Sequence, residues 1–186
     1  MTVQTSPSAR YPRVTMLLHW LIALFAIVNW RLVEAAEHAS KPDREALMGN
    51  HFAIGVIIFI LALLMIVWKA THPSPPLASH LMAWEVALAK VVHLLLLILL
   101  IVLPMLGWVA MSSYGQGISI FGRFTWPGLP VGSNPDLAGK LFEVHGLLGT
   151  VLVVLIGLHV LGVLKHQFLD RDGNLYRMLP FGNPKG

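Results

Sequence analysis

The 186-residue chain contains no cysteine, which removes disulfides, iron–sulfur clusters, thiolate zinc sites and the thioether attachment of a c-type haem. Charge is scarce too: 12% of residues are Asp, Glu, Lys or Arg against 56% hydrophobic, and the mean hydropathy is +0.71. That balance excludes an ordinary soluble domain and places the chain in a bilayer. Acidic residues number 9 and basic residues 13. The resulting +4 charge and pI near 9.7 fit basic flanks beside membrane segments, not a nucleic-acid surface. With thiolates absent, a resident metal must be held by nitrogen or oxygen, so the nine histidines become the residues to sort.

Four apolar stretches, 16–33, 51–68, 86–111 and 144–164, are each near the roughly 20 residues that cross a hydrocarbon core as a helix. The expectation is an all-α, integral membrane four-helix bundle, a single membrane domain over 1–186. Pro104 is expected to bend the outer half of the third span, because it removes a helical hydrogen bond. Trp20, Trp30, Trp68, Trp84 and Trp108 fall near span ends, where an amphipathic indole prefers the interface.

Basic residues set the orientation. With both termini cytoplasmic, Arg10, Arg13, Lys69, Lys90, Lys165, Arg171, Arg177 and Lys185 lie inside, against Arg31, Lys41, Arg44, Arg123 and Lys140 outside, so N-in/C-in is expected. Residues 69–85, with "THPSPP", then form a stiff inner connection, and residues 112–143 a long outer loop that packs over the helix ends. The basic start and "VEAAEHA" resemble a secretory signal peptide. The first span is nevertheless expected to be kept, since Asn29, Trp30 and Arg31 spoil the approach to a cleavage site.

A neutral imidazole is costly in hydrocarbon unless hydrogen-bonded or bound to metal, so a histidine within a span is a functional candidate. In the fourth span His145 and His159 are fourteen residues apart, hence about 40° apart in azimuth and about 21 Å along the axis. Alternating the direction of successive spans sorts the histidines into two levels. The outer level contains His51 and His145; the inner has three candidates, His19, His93 and His159.

Two histidines from facing helices at one level suit a haem ligated on both faces, an electron carrier with no open coordination position. Gly49, Gly55, Gly146, Gly149, Gly157 and Gly162 would let a macrocycle approach the backbone, although small residues also serve ordinary helix packing in membranes. His38, His72 and His80 read as solvated loop residues. His166 and His93 are candidates for a quinone headgroup needing a hydrogen-bond donor near the inner level; Lys90 is a third, with interfacial snorkelling as the competing reading. Zinc fits poorly, because the levels are some 20 Å apart and no carboxylate accompanies either.

The segments "YPRVTMLLHWLIAL", "GNHFAIG", "KVVHLLLLILLIVLPMLGW", "VHGLLGTVLVVLIGLHVLGVLKHQF" and the tail "DGNLYRMLP" together resemble the prokaryotic cytochrome b561 family over nearly the whole chain. The resemblance implies a multi-pass protein of the bacterial inner membrane binding two haem b groups. It assigns the axial ligands to His19 and His159 for the inner haem and to His51 and His145 for the outer. The family includes a superoxide oxidase, and that likeness implies oxidation of periplasmic superoxide to dioxygen with ubiquinone as electron acceptor. It also makes His166 the chosen proton donor for quinone reduction.

An anionic substrate favours a positive surface. The outer segments hold Arg31, Lys41, Arg44, Arg123 and Lys140 against Glu34, Glu37, Asp43, Glu45, Asp136 and Glu143, so steering requires folding to gather Arg44, Arg123 and Lys140 near the outer haem. Two alternatives stay open. One is a cytochrome b subunit that takes electrons from a periplasmic dehydrogenase or hydrogenase docked on the outer segment. The other is a haem-free scaffold or transporter whose histidines relay protons.

Overall fold

In the computed structural model, residues 10–75, 81–182 and 184 are described. His80 and Lys185, placed above in the inner connection and the tail, lie outside these. Four long helices form the body: α1 (Arg13–Glu37), α2 (Lys41–Thr71), α3 (Ala83–Ser113) and α4 (Pro135–Leu164). All four are long and apolar enough to cross a membrane. The chain is an integral membrane four-helix bundle.

The helices outrun the apolar stretches because polar residues at their ends form the caps. At the start of α4, Asn134 Oδ1 accepts a hydrogen bond from Leu137 N at 3.0 Å, Pro135 fills the first helical position and Asp136 meets the helix dipole. Glu85 at the start of α3 reaches back to the N–H of Met82 at 3.0 Å. Pro104 lies inside α3, which is one continuous element.

The outer segment 112–143, expected as a loop, therefore contains the first turns of α4 and also a β-hairpin of β1 (Ile118–Ile120) and β2 (Phe124–Trp126), paired antiparallel with Ile120 opposite Phe124. The hairpin sits on the bundle: Ile118 and Ile120 are buried against Ala53 and Val56 of α2, with Trp108, Met111 and Trp126 around them. Trp108 Nε1 donates to Pro127 O at 2.9 Å and Leu129 N donates to Ser112 Oγ at 2.8 Å, tying the segment to α3.

At the opposite end, α4 runs into a π-helical turn (Lys165–Asp170). Arg171, in the left-handed region with φ 54°, then turns the chain into a short 3-10 helix (Asn174–Met178). This tail crosses the foot of α1: Tyr11 N donates to Arg177 O at 3.1 Å and Trp20 Nε1 to Met178 O at 2.8 Å. The Arg177 guanidinium is buried over the Tyr11 ring, 5.5 Å from its centre. The bundle thus has a hairpin end and a termini end.

Close backbone packing joins α1 to α2 and α3 to α4, with α2 and α3 linking the two pairs, while α4 stands off from α1 and α2. Few side chains of α4 are buried, Ala138 and Leu155 among them. Exposed aliphatics such as Leu147, Leu161 and Val67 line the outside, as a lipid-facing surface requires. In mid-bundle, Leu99 and Leu103 of α3 close on Leu155 of α4, a dry apolar layer.

Candidate functional site

Four imidazoles reach into the space that α4 leaves beside α1 and α2. At the hairpin end, His51 of α2 and His145 of α4 have ring centres 6.0 Å apart; at the termini end, His19 of α1 and His159 of α4 are 6.1 Å apart. With metal–nitrogen bonds of about 2 Å, an imidazole centre stands about 3 Å from its metal, so two rings holding one ion are about 6 Å apart. His93 of α3 is 5.0 Å from His159 and is itself exposed. Of the three termini-end histidines, His19 and His159 have the spacing of a metal-bridged pair.

Ring orientation at the hairpin end is fixed by main-chain carbonyls. His51 Nδ1 lies 3.3 Å from Asn29 O and His145 Nδ1 lies 3.0 Å from Leu103 O. A carbonyl accepts only from a protonated Nδ1, and that tautomer leaves the Nε2 lone pair of each ring free for a metal. Gly107 gives His145 its room: a Cβ there would lie 3.5 Å from His145 Cε1. A Cβ at Gly49, Gly55, Gly146, Gly149, Gly157 or Gly162 would meet nothing within 4 Å, so the helix surfaces bearing the histidines are open to a flat ligand.

Buried side-chain polar atoms without a partner among the described residues include Asn29 Oδ1 and Trp126 Nε1 toward the hairpin end, and Gln167 Oε1 at the termini end. Of these, Asn29 alone gives a local signal, a polar residue inside an otherwise apolar span; Gly107 and the Leu103 carbonyl act through a contact between distant segments and do not stand out in the sequence.

The other candidates are spread over the two ends. His166 lies in the π-helical turn with Nδ1 2.9 Å from Asp170 Oδ2 and 2.8 Å from Asp172 Oδ2. Lys165 beside it bridges Asp170 at 2.7 Å and Glu85 of α3 at 2.5 Å, tying α4 to the foot of α3. Lys90 is exposed on α3, one turn before His93. At the hairpin end Arg44, Arg123 and Lys140 are exposed on α2, the hairpin turn and α4. Arg31 is paired with Glu34. His38 and His72 are exposed, and His72 stacks on Trp68 with ring centres 3.5 Å apart.

Residues 10–181 match the family model described as prokaryotic cytochrome b561. A "Probable superoxide oxidase CybB" of Yersinia pestis is 30% identical over 92% of this chain and 96% of its own length. Two Escherichia coli proteins are similar over comparable spans: "Cytochrome b561 homolog 2", 31% identical over 94% of each chain, and "Cytochrome b561 homolog 1", 24% identical over 92% of this chain and 97% of its own. Matched over residues 10–181 and built on helices that bring their histidines together across the bundle, the chain belongs to the prokaryotic cytochrome b561 family, haem b-binding electron carriers of the bacterial inner membrane.

Proposed function

We propose that the chain carries two haem b groups, one between His51 and His145 and one between His19 and His159, and moves electrons from superoxide at the hairpin end to ubiquinone at the termini end. The observation that carries the reading is the pair of imidazole couples at 6.0 and 6.1 Å in the gap beside α4. The residues fit the group: the carbonyl contacts of both Nδ1 atoms leave each Nε2 free at the hairpin end, and open glycine surfaces give a macrocycle room. When bound, each haem supplies a one-electron carrier with both axial positions filled, so exchange is outer-sphere.

Two superoxide ions give up one electron each and leave as dioxygen; one quinone takes both electrons and two protons and leaves as quinol. Orientation by basic residues puts the hairpin end in the periplasm, and the similarity to a probable superoxide oxidase supports the donor. His93 is suited to contact a headgroup, being exposed yet in ring contact with the proposed ligand His159. His166 is suited to bring in a proton from water through Asp170 and Asp172. Lys90, one turn from His93, is a further donor facing the same end.

The test is stopped-flow mixing of purified, haem-loaded protein with superoxide, with and without a short-chain ubiquinone. The expected result is rapid appearance of reduced haem bands, followed by reoxidation only when quinone is present. Protein that superoxide fails to reduce, while quinol analogues still reduce it, points instead to a protein donor. Such a donor has a surface available in Phe121 and Phe124, both at least half exposed on the hairpin.

A further inference from the structure

The two ends of the bundle orient their histidines differently. At the hairpin end, main-chain carbonyls meet His51 Nδ1 and His145 Nδ1 and set the plane of each ring. At the termini end, no hydrogen bond among the described residues reaches a ring nitrogen of His19 or His159. The His19 ring is flanked on its own helix by an indole instead: Trp20 lies edge-on to it, with ring centres 5.2 Å apart and planes at 82°.

That indole is held from outside the helix. Trp20 Nε1 donates to Met178 O at 2.8 Å. Met178 closes the 3-10 helix of the tail, whose last carbonyls have no partner within it. Both are taken by α1, since Arg177 O accepts from Tyr11 N at 3.1 Å, and the buried Arg177 guanidinium over the Tyr11 ring braces the same contact. The tail follows directly on α4, the helix that carries His159, and α4 otherwise stands off from α1. One continuous path therefore runs from the His19 ring through Trp20 and the tail to the helix of the facing histidine. A tryptophan near a span end commonly anchors at the interface with its N–H toward water or headgroups. Trp20 is exposed, yet its single donor is committed to the tail backbone.

We propose that Trp20 is a positioning residue of the termini-end haem: clamped by the tail through Met178 O, it fixes the plane of the His19 ring relative to His159. This rests on the reading that a haem lies between those two histidines. Trp20→Phe keeps an aromatic ring beside His19 and removes the donor, and Arg177→Met keeps a long side chain while loosening the tail from Tyr11.

The test uses full-length, haem-loaded protein and electron paramagnetic resonance, in which the largest g value of a low-spin ferric haem reports the angle between its two imidazole planes. Trp20→Phe is expected to shift that signal for one haem, the one missing from His19→Ala. The same haem should pass to an excess of an apo-globin acceptor about fivefold faster, equivalent to about 1 kcal/mol. The other haem should keep its signal and its release rate, which a general loss of bundle stability would not allow. Arg177→Met is expected to give the same shift, and the double variant no more than either alone, because both act through one contact. A wild-type signal and release rate for the termini-end haem in Trp20→Phe, equal changes in both haems, or changes that add in the double variant would overturn the proposal. Retention of two haems by His19→Ala would instead remove the underlying reading.

Discussion

Gly107 decides how closely His145 can approach α3. The imidazole reaches Leu103 O at 3.0 Å, and a single methyl group at 107 would sit in ordinary contact with the ring, 3.5 Å from Cε1. Gly107→Ala is therefore expected to keep the haem spectrum and to raise thermal stability by up to about 1 kcal/mol, the difference in helix propensity. Gly107→Leu fills the slot, pushes His145 away from Leu103 and is expected to halve the haem-to-protein ratio. Both are checked by absorbance and thermal melts; a leucine variant with a full haem complement would show that the slot is unimportant. The contrast with the histidines explains what a sequence discloses at this scale. An imidazole in a hydrocarbon span is conspicuous because it is costly there, so His19, His51, His93, His145 and His159 can be picked out before any fold is known. A glycine in "PMLGW" or the carbonyl of Leu103 has meaning only once α3 and α4 are side by side.

The hairpin is the element that the apolar pattern conceals. Its strands have three residues each, too few for an alternation to register, and its turn is unusual in composition. Arg123 N donates to Ile120 O at 2.9 Å, and the central residues Phe121 and Gly122 both have positive φ, 49° and 68°. Glycine accepts that conformation freely, whereas phenylalanine is strained there by roughly 1–2 kcal/mol. The start of α4 was legible in principle, since Asn134-Pro135-Asp136 is a helix-start signal, but a search for apolar length begins the span at residue 144 and passes over it. Both features bear on the charge around the His51–His145 end, because they fix where Arg123 and Lys140 stand. With Arg44 they supply exposed cations from three elements. Reversing all three to Glu is expected to slow haem reduction by superoxide about tenfold or more at low ionic strength. The gap should close as salt is raised toward 1 M, where the screening length falls to about 3 Å. Stopped-flow rates across a salt series check this; an unchanged low-salt rate would rule out steering by these residues.

At the scale of the whole molecule, the arrangement is two tightly packed helix pairs with α4 held away from α1 and α2. That separation leaves side chains of α4 underpacked, and in water it would be unstable. In the membrane, lipid covers the outer faces, and a ligand within the gap supplies the contacts that the helices do not make with each other. Depth and helix direction suffice to read two histidine levels from the sequence. Depth alone leaves His19 and His93 both open; the family resemblance points to His19, whose ring is 6.1 Å from His159 against 5.0 Å for His93. If each couple holds its own haem, substitutions should group by couple and not by helix, although His145 and His159 share α4. His51→Ala and His145→Ala are each expected to lose one haem, and the double variant no more than either alone, because the second change removes a ligand from a site already empty. His51→Ala combined with His159→Ala should lose both haems, and His93→Ala should keep both. Haem-to-protein ratios of the purified variants read this directly. Thermal melts should fall in the same order, since a ligand bound only by the folded state stabilises it in proportion to its occupancy. A His145→Ala variant lacking both haems would mean that the two sites fold as one, and that α4 is held in place by its ligands at both depths together.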